Sequence, residues 1–250
     1  MVVAHRGASS THRENTVEAF NAARHEGASG IELDVRRSSD DVLVVHHDAH
    51  LDDGRLISES VASDLPEWVP TLAEVLDITS DMWLNIEIKN VPDEPDYDAE
   101  DTISLAVAGL VTAHLLSNDS PTGSDDVPSA DNPATLFADR VLVSSFNVDS
   151  VIRIRSVEPA IPVGLLVWGQ VDPASTVSRV ESHGFDAIHP HDLMVDQAFV
   201  DRARAAGLAI NVWTVDDPDR IVALANMGVD SVITNKPALA KQTLEKAGLG

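Results

Sequence analysis

Eight times along its 250 residues the chain repeats one pattern, a short apolar run followed by a longer amphipathic stretch, and no other feature limits the possible fold so tightly. The apolar runs fall at 2–4, 30–35, 83–88, 140–144, 161–167, 186–189, 209–213 and 231–234. Helical spacing of apolar positions follows each of them, at 16–26, 71–78, 99–116, 148–157, 173–183, 197–206, 218–227 and 238–247. Strands apolar on both faces suit a parallel sheet covered by helices, and eight βα units in a chain of this length make a closed barrel. An open doubly wound sheet is the rival. It wants fewer strands and usually a glycine-rich phosphate loop after the first, and the sequence has no such loop there. We therefore expect an α/β fold, a (β/α)8 TIM barrel, with 1–250 forming a single domain. Two interruptions break the rhythm. Residues 42–46 read as an extra strand after the second, reached through the Ser38-Ser39-Asp40-Asp41 turn, and 48–69 form a short insertion. Residues 117–133, rich in Ser, Asp, Pro and Gly, read as a mobile acidic loop.

Apolar residues make up 44% of the chain, enough for a packed core, so the formal charge of −24 does not signal a disordered acidic polymer. A surface this negative repels phosphate backbones and anionic headgroups, which argues against a general nucleic-acid or membrane-surface role. Cysteine is absent, which removes disulfides, thiolate metal sites and cysteine nucleophiles and leaves chemistry to oxygen and nitrogen groups. No apolar run approaches the length of about 18 residues that a membrane span needs, and Met1-Val2-Val3-Ala4 carries no export signal, so a cytoplasmic location is expected. Asp outnumbers Glu by 28 to 13 and Arg outnumbers Lys by 13 to 4. Such a surface suits concentrated salt, where a Debye length of roughly 3 Å at about 1 M screens the self-repulsion. We expect a halophilic source; a merely acidic protein is the plain alternative.

Barrel enzymes carry their reacting groups at the carboxyl ends of the strands. Here the first strand ends in His5-Arg6-Gly7, the second reads Ile31-Glu32-Leu33-Asp34-Val35, and the third reads Asn85-Ile86-Glu87-Ile88-Lys89. Glu32 and Asp34, two residues apart, point to one side of their strand, and Glu87 follows the same alternation. Three buried carboxylates without partners would cost several kcal/mol each, so either they titrate or a cation sits among them. An all-oxygen set suits Mg2+ or Ca2+ rather than zinc or copper. A structural network, with the acids paired to Arg36, Arg37 or Lys89, is the competing reading. The extra strand delivers His47, and His5 and His47 both abut strands feeding the same end as the acids. With ordinary pKa values of about 6.5, they form a plausible acid and base pair. Arg6 and Lys89 add positive charge, and a divalent ion would turn a pocket of net charge −1 into one of +1, able to accept a phosphodiester monoanion.

Taken together, His5-Arg6-Gly7, Glu14-Asn15-Thr16, Gly27-Ala28, Ile31-Glu32-Leu33-Asp34-Val35, Val44-Val45 and His47-Asp48 resemble, in order, the signature of the glycerophosphodiester phosphodiesterase family. Pro70-Thr71-Leu72, Ile86-Glu87-Ile88-Lys89, Ser145-Phe146, Val212-Trp213-Thr214 and Ile233-Thr234-Asn235-Lys236-Pro237 extend the resemblance over nearly the whole chain. The resemblance implies metal-dependent hydrolysis of a small-molecule glycerophosphodiester to glycerol phosphate and an alcohol. It implies His5 and His47 as general acid and base in either order, and Glu32, Asp34 and Glu87 as ligands of Mg2+ or Ca2+. Arg6 and Lys89 would contact phosphate, Trp213 would pack against glycerol, and Asn15 would support the site. Trp213 also has a plain reading as a barrel-packing aromatic.

The sequence departs from the family pattern after His47-Asp48. Asp53 stands where a basic residue is common, and the 48–69 insertion is shorter than usual. Competing functions are a phospholipase-type barrel acting on intact lipid, a noncatalytic phosphodiester-binding barrel, and a sugar-phosphate isomerase. The first would need a basic or apolar membrane-contact stripe, the second would be expected to lack a histidine or carboxylate, and the third a glycine-rich phosphate grip after the seventh and eighth strands.

Overall fold

The computed structural model describes residues 1–118, 140–169 and 172–249. Eight parallel strands close on themselves: β1 (Val2–His5), β2 (Gly30–Arg37), β4 (Trp83–Ile88), β5 (Val141–Ser145), β6 (Val163–Val167), β7 (Ala187–Pro190), β8 (Ala209–Val212) and β9 (Ser231–Thr234). Each pairs with its neighbour, and β1 joins both β9 and β2 to complete the ring. The fold is the expected TIM barrel. The extra strand β3 (Leu43–Val45) runs antiparallel along β2 and stays outside the ring.

Helices α1 (Val17–His25), α2 (Leu72–Ile78), α3 (Thr102–Asn118), α4 (Val148–Val157), α5 (Pro173–Ser182), α6 (Gln197–Ala205), α7 (Pro218–Met227) and α8 (Pro237–Lys246) cover the outside. Their ends follow from local chemistry. Thr71 and Glu74 form a reciprocal capping box at the start of α2. Asp217-Pro218 opens α7, and Gly228, at φ 90°, closes it. Outward-facing strand residues such as Ile31, Leu33, Val35, Ile86 and Ile88 pack with Phe20, Val107 and Ile154 of the helices in one continuous buried cluster. Each large aliphatic side chain so buried contributes roughly 1.5–3 kcal/mol.

Ser117 and Asn118, expected to open the acidic loop, instead finish α3; the remainder of that loop lies outside the described residues. The insertion is ordered by a small core of its own, in which Val44, Leu51, Ile57 and Val69 pack with Leu65 and Trp68. Among the described residues no helix is long and apolar enough to cross a membrane.

Register decides what faces the barrel axis. Residues paired across parallel strands share a face, so His5, Glu32 and Asn85 form one row, and Asp34, Glu87 and Ser144 the next. Deeper in the barrel, His189 is fully buried beside Asn211, which in turn accepts from Ser231. Burial pushes the His189 pKa down to about 3, so this ring is a neutral core histidine.

Candidate active site

The chain turns sharply after β1, and that turn begins the site. Gly7 has φ 83°, and a Cβ there would lie 2.6 Å from the Ala19 backbone, so the third residue of His5-Arg6-Gly7 has to be glycine. Arg6 and Asn15 both adopt φ 57°, a left-handed conformation that tight surroundings must hold in place. Each side chain reaches the same carboxylate. Asn15 donates from Nδ2 to Asp34 Oδ2 at 2.8 Å, and Arg6 Nε lies 3.1 Å from that oxygen.

Glu32, Asp34 and Glu87 are buried, and each offers an oxygen within 4.8 Å of the others. The Arg6 backbone N–H donates to Glu32 Oε2 at 3.1 Å, while Lys89 Nζ donates to Glu87 Oε1 at 2.8 Å and lies 3.5 Å from Asp34 Oδ1. Of the partners a structural network would use, Lys89 does pair with the triad, whereas Arg36 and Arg37 pair elsewhere, with Asp96, Glu94, Asp98 and Asp41. The three acids differ in character. Burial, then the Asp34 and Glu87 charges, raise the Glu32 pKa well above the ordinary carboxylate value. Burial also raises Glu87, against the pull of Lys89. Burial opposes ionisation of Asp34 as well, but Lys89 and Arg6 outweigh it and hold its pKa below the usual range. Two cationic side chains thus leave the cluster short of positive charge, as Glu32 shows. A hard divalent cation fits this all-oxygen, charge-deficient set.

His5 and His47 line the same pocket as Glu32 and Glu87, with Asp34 buried beside them in the triad. His5 Nδ1 is 2.7 Å from Asn235 Oδ1, an acceptor, so Nδ1 carries the proton and Nε2, 3.9 Å from Glu32 Oε2, keeps its lone pair. Asn235 is held in turn by Asp216, to which its Nδ2 donates at 2.7 Å. Burial and the adjacent Arg6 cation lower the His5 pKa. His47 donates from Nδ1 to Asp48 Oδ1 at 2.7 Å. His46 turns away and donates to the Asp48 carbonyl, beside Trp68.

The pocket, a cavity of about 310 Å3, has two chemically distinct walls. Strands β1 to β4 and the loops after them supply the charged wall, with Arg6 and Lys89 among its members. The other wall, from β5 to β9, is apolar: Phe146, Leu166, Trp168, Trp213 and Ile233. Trp213 lies edge-on to both Phe146 and Trp168, with ring centroids 5.5 and 6.2 Å away, and its Nε1 donates to the His189 carbonyl at 2.7 Å. It both packs and lines the cavity.

Comparison with known proteins identifies what this arrangement belongs to. The profile of the Glycerophosphoryl diester phosphodiesterase family matches residues 5–239, nearly the whole chain. The chain belongs to the glycerophosphoryl diester phosphodiesterase family. It is therefore an enzyme, a phosphoric diester hydrolase. A glycerophosphodiester phosphodiesterase of Caldanaerobacter subterraneus subsp. tengcongensis is 29% identical over 273 residues, with 99% of each chain covered. Among solved structures, an Oleispira antarctica phosphodiesterase in complex with the product sn-glycerol-3-phosphate has a TM-score of 0.80 at 25% identity, covering 98% of this chain and 96% of that one. A glycerophosphodiester phosphodiesterase from Thermotoga maritima has a TM-score of 0.73 at 26% identity, covering 96% of both.

In this phosphodiesterase all nine residues singled out from sequence lie in or against one site: eight line the pocket or belong to the acidic triad, and Asn15 braces Asp34. In the sequence Asn85, Phe146 and Asn235 stand within motifs but carry no assigned role, and Trp168 and Asp216 are not singled out. Phe146 and Trp168 each follow the last residue of a strand, which in a barrel is a signal for the pocket. The Asn235–Asp216 contact joins two separate βα loops, and no local pattern announces it.

Proposed function

We propose that this protein hydrolyses glycerophosphodiesters to glycerol phosphate and an alcohol, with Glu32, Asp34 and Glu87 holding a divalent cation, Mg2+ or Ca2+. The observation that carries this reading is the meeting, at one cavity, of two differently held imidazoles and a cluster of three buried carboxylates, two of which line it. When bound, the cation supplies fixed positive charge for phosphate oxygens and for charge that develops during transfer. Arg6 and Lys89 bind the remaining phosphate oxygens, and the apolar wall at Trp213 and Phe146 receives the carbon skeleton. Asn15 keeps Asp34 oriented.

His5, neutral and with its Nε2 lone pair free, takes the proton of the attacking hydroxyl, which is either water, giving glycerol phosphate directly, or the neighbouring glycerol hydroxyl, giving a cyclic phosphate that a water molecule then opens to glycerol phosphate. His47, the ring with a carboxylate partner in Asp48, gives a proton to the departing oxygen as the P–O bond to the alcohol breaks. Each role is worth about 10²- to 10⁴-fold in rate. A noncatalytic binding barrel does not need all five groups, and all five are in place.

We also read the chain as one barrel domain and its acidic surface as suited to a salt-rich interior. Phosphorus NMR of glycerophosphocholine and glycerophosphoethanolamine incubated with enzyme and Mg2+ or Ca2+ tests the activity. Appearance of glycerol phosphate is expected; absence of turnover on both substrates with both ions would overturn it.

A further inference from the structure

Arg36 is among the largest fully buried side chains of the protein, with 2% exposure, and neither the triad nor the pocket lining includes it. It sits two residues beyond Asp34 on β2, so one face of one strand carries Glu32, Asp34 and Arg36 in succession. Its guanidinium is fully engaged. Nε and Nη2 both donate to the His47 carbonyl, at 2.8 and 2.5 Å, Nη1 donates to both carboxylate oxygens of Asp96, and Nη2 lies 2.7 Å from Glu94 Oε2.

The carbonyl contact falls where the chain most needs an anchor. Pairing of β3 with β2 ends at Val45, and His46 N donates to the Asp34 carbonyl at 3.0 Å. Beyond that point the chain leaves the sheet. The His47 ring is 32% exposed, and its carboxylate partner Asp48 is 75% exposed. The ring is therefore only partly enclosed by packing, and Arg36 anchors its backbone carbonyl. Asp96 and Glu94, from the segment between β4 and α3, hold the fork from the far side. A planar guanidinium meets these partners at once; a lysine ammonium has no such fork.

We propose that Arg36 is a positioning residue for catalysis, a clamp that fixes His47 relative to the carboxylate triad through its backbone carbonyl. This rests on the catalytic role proposed for His47. The rigid strand that presents Glu32 and Asp34 then also sets the distance from them to the imidazole, which a loop alone would leave loose.

The test is a double-mutant cycle on the full-length enzyme with glycerophosphocholine, reading kcat and KM separately alongside thermal unfolding. Arg36→Met is expected to lower kcat by about tenfold to a hundredfold with KM changed by less than about threefold, because binding groups stay in place. In a His47→Ala background the same substitution is expected to lower the residual kcat by less than about twofold. Equal losses in both backgrounds, or unchanged kcat with only a lower Tm, would overturn the proposal. If Arg36→Met does not fold, Arg36→Lys serves in its place: it keeps the charge, loses the fork, and is expected to show the same dependence on His47. A His47→Ala enzyme of full activity would refute the role assigned to His47 and the clamp with it; an inactive His47→Ala beside a fully active Arg36→Met would refute the clamp alone.

Discussion

Asn235 Oδ1 accepts from His5 Nδ1 at 2.7 Å, and that one contact, made across 230 positions of sequence, decides which nitrogen of this pocket histidine is free. Asp216 fixes the amide by accepting from Asn235 Nδ2 at 2.7 Å and from the Asn235 backbone N–H at 2.8 Å. Asn235→Leu leaves the ring without an orienting acceptor. It is expected to lower kcat by about tenfold to a hundredfold, as loss of an outer partner typically does, in steady-state assays on glycerophosphocholine. An unchanged kcat would remove Asn235 from the account.

The pH dependence follows from His5. Burial, and then the Arg6 cation, lower its pKa from the ordinary 6.5, and a base must be neutral to act. The acid limb of the kcat/KM profile assigned to His5 is therefore expected below 6.5, with activity holding as pH falls to that value and declining beneath it. A limb above 6.5 that is lost in His5→Ala would contradict the assignment.

Cation binding should release protons. Glu32 has its pKa raised well above 4.5, first by burial and then by Asp34 and Glu87. A raised carboxyl pKa in the folded state means that the cation-free fold gains stability as the pH falls through that raised value toward the ordinary 4.5, and that a cation competes with the proton. Titration calorimetry with Mg2+ or Ca2+ in buffers of different ionisation enthalpy should show proton release, and affinity should rise with pH above 4.5. Glu32→Gln should abolish the release. Binding with no proton exchange would show that Glu32 is ionised before the ion arrives.

Salt should help rather than harm. With a net charge of −24, the folded chain repels itself in dilute buffer, and a Debye length of roughly 3 Å at about 1 M salt removes most of that repulsion. Both Tm and turnover are expected to rise from dilute buffer toward molar KCl. Equal values at both ends would leave the composition without the functional meaning given to it.

The barrel was readable from sequence because each strand–helix unit announces itself locally, through apolar runs such as 83–88 and caps such as Thr71 with Glu74. Its inward-facing acids were readable because Glu32 and Asp34 lie two apart on one strand, and alternation puts them on one face. Harder to read was whatever depends on how separate loops meet. Trp168 is an unremarked aromatic in sequence, and becomes a pocket wall once its ring stacks on His191 and faces Trp213. In sequence Arg36 is one of several possible partners for the triad acids; in the fold its fork holds the His47 carbonyl, Asp96 and Glu94 instead. Side-chain direction, unlike strand identity, is set by the tertiary neighbours.

Dependence of catalysis on a divalent ion among Glu32, Asp34 and Glu87 is measured by hydrolysis of glycerophosphocholine before and after exhaustive chelation. EDTA is expected to abolish turnover, and added Mg2+ or Ca2+ to restore it in the original enzyme but not in Glu87→Gln. Full activity in the presence of excess chelator would show that no such ion takes part in the reaction.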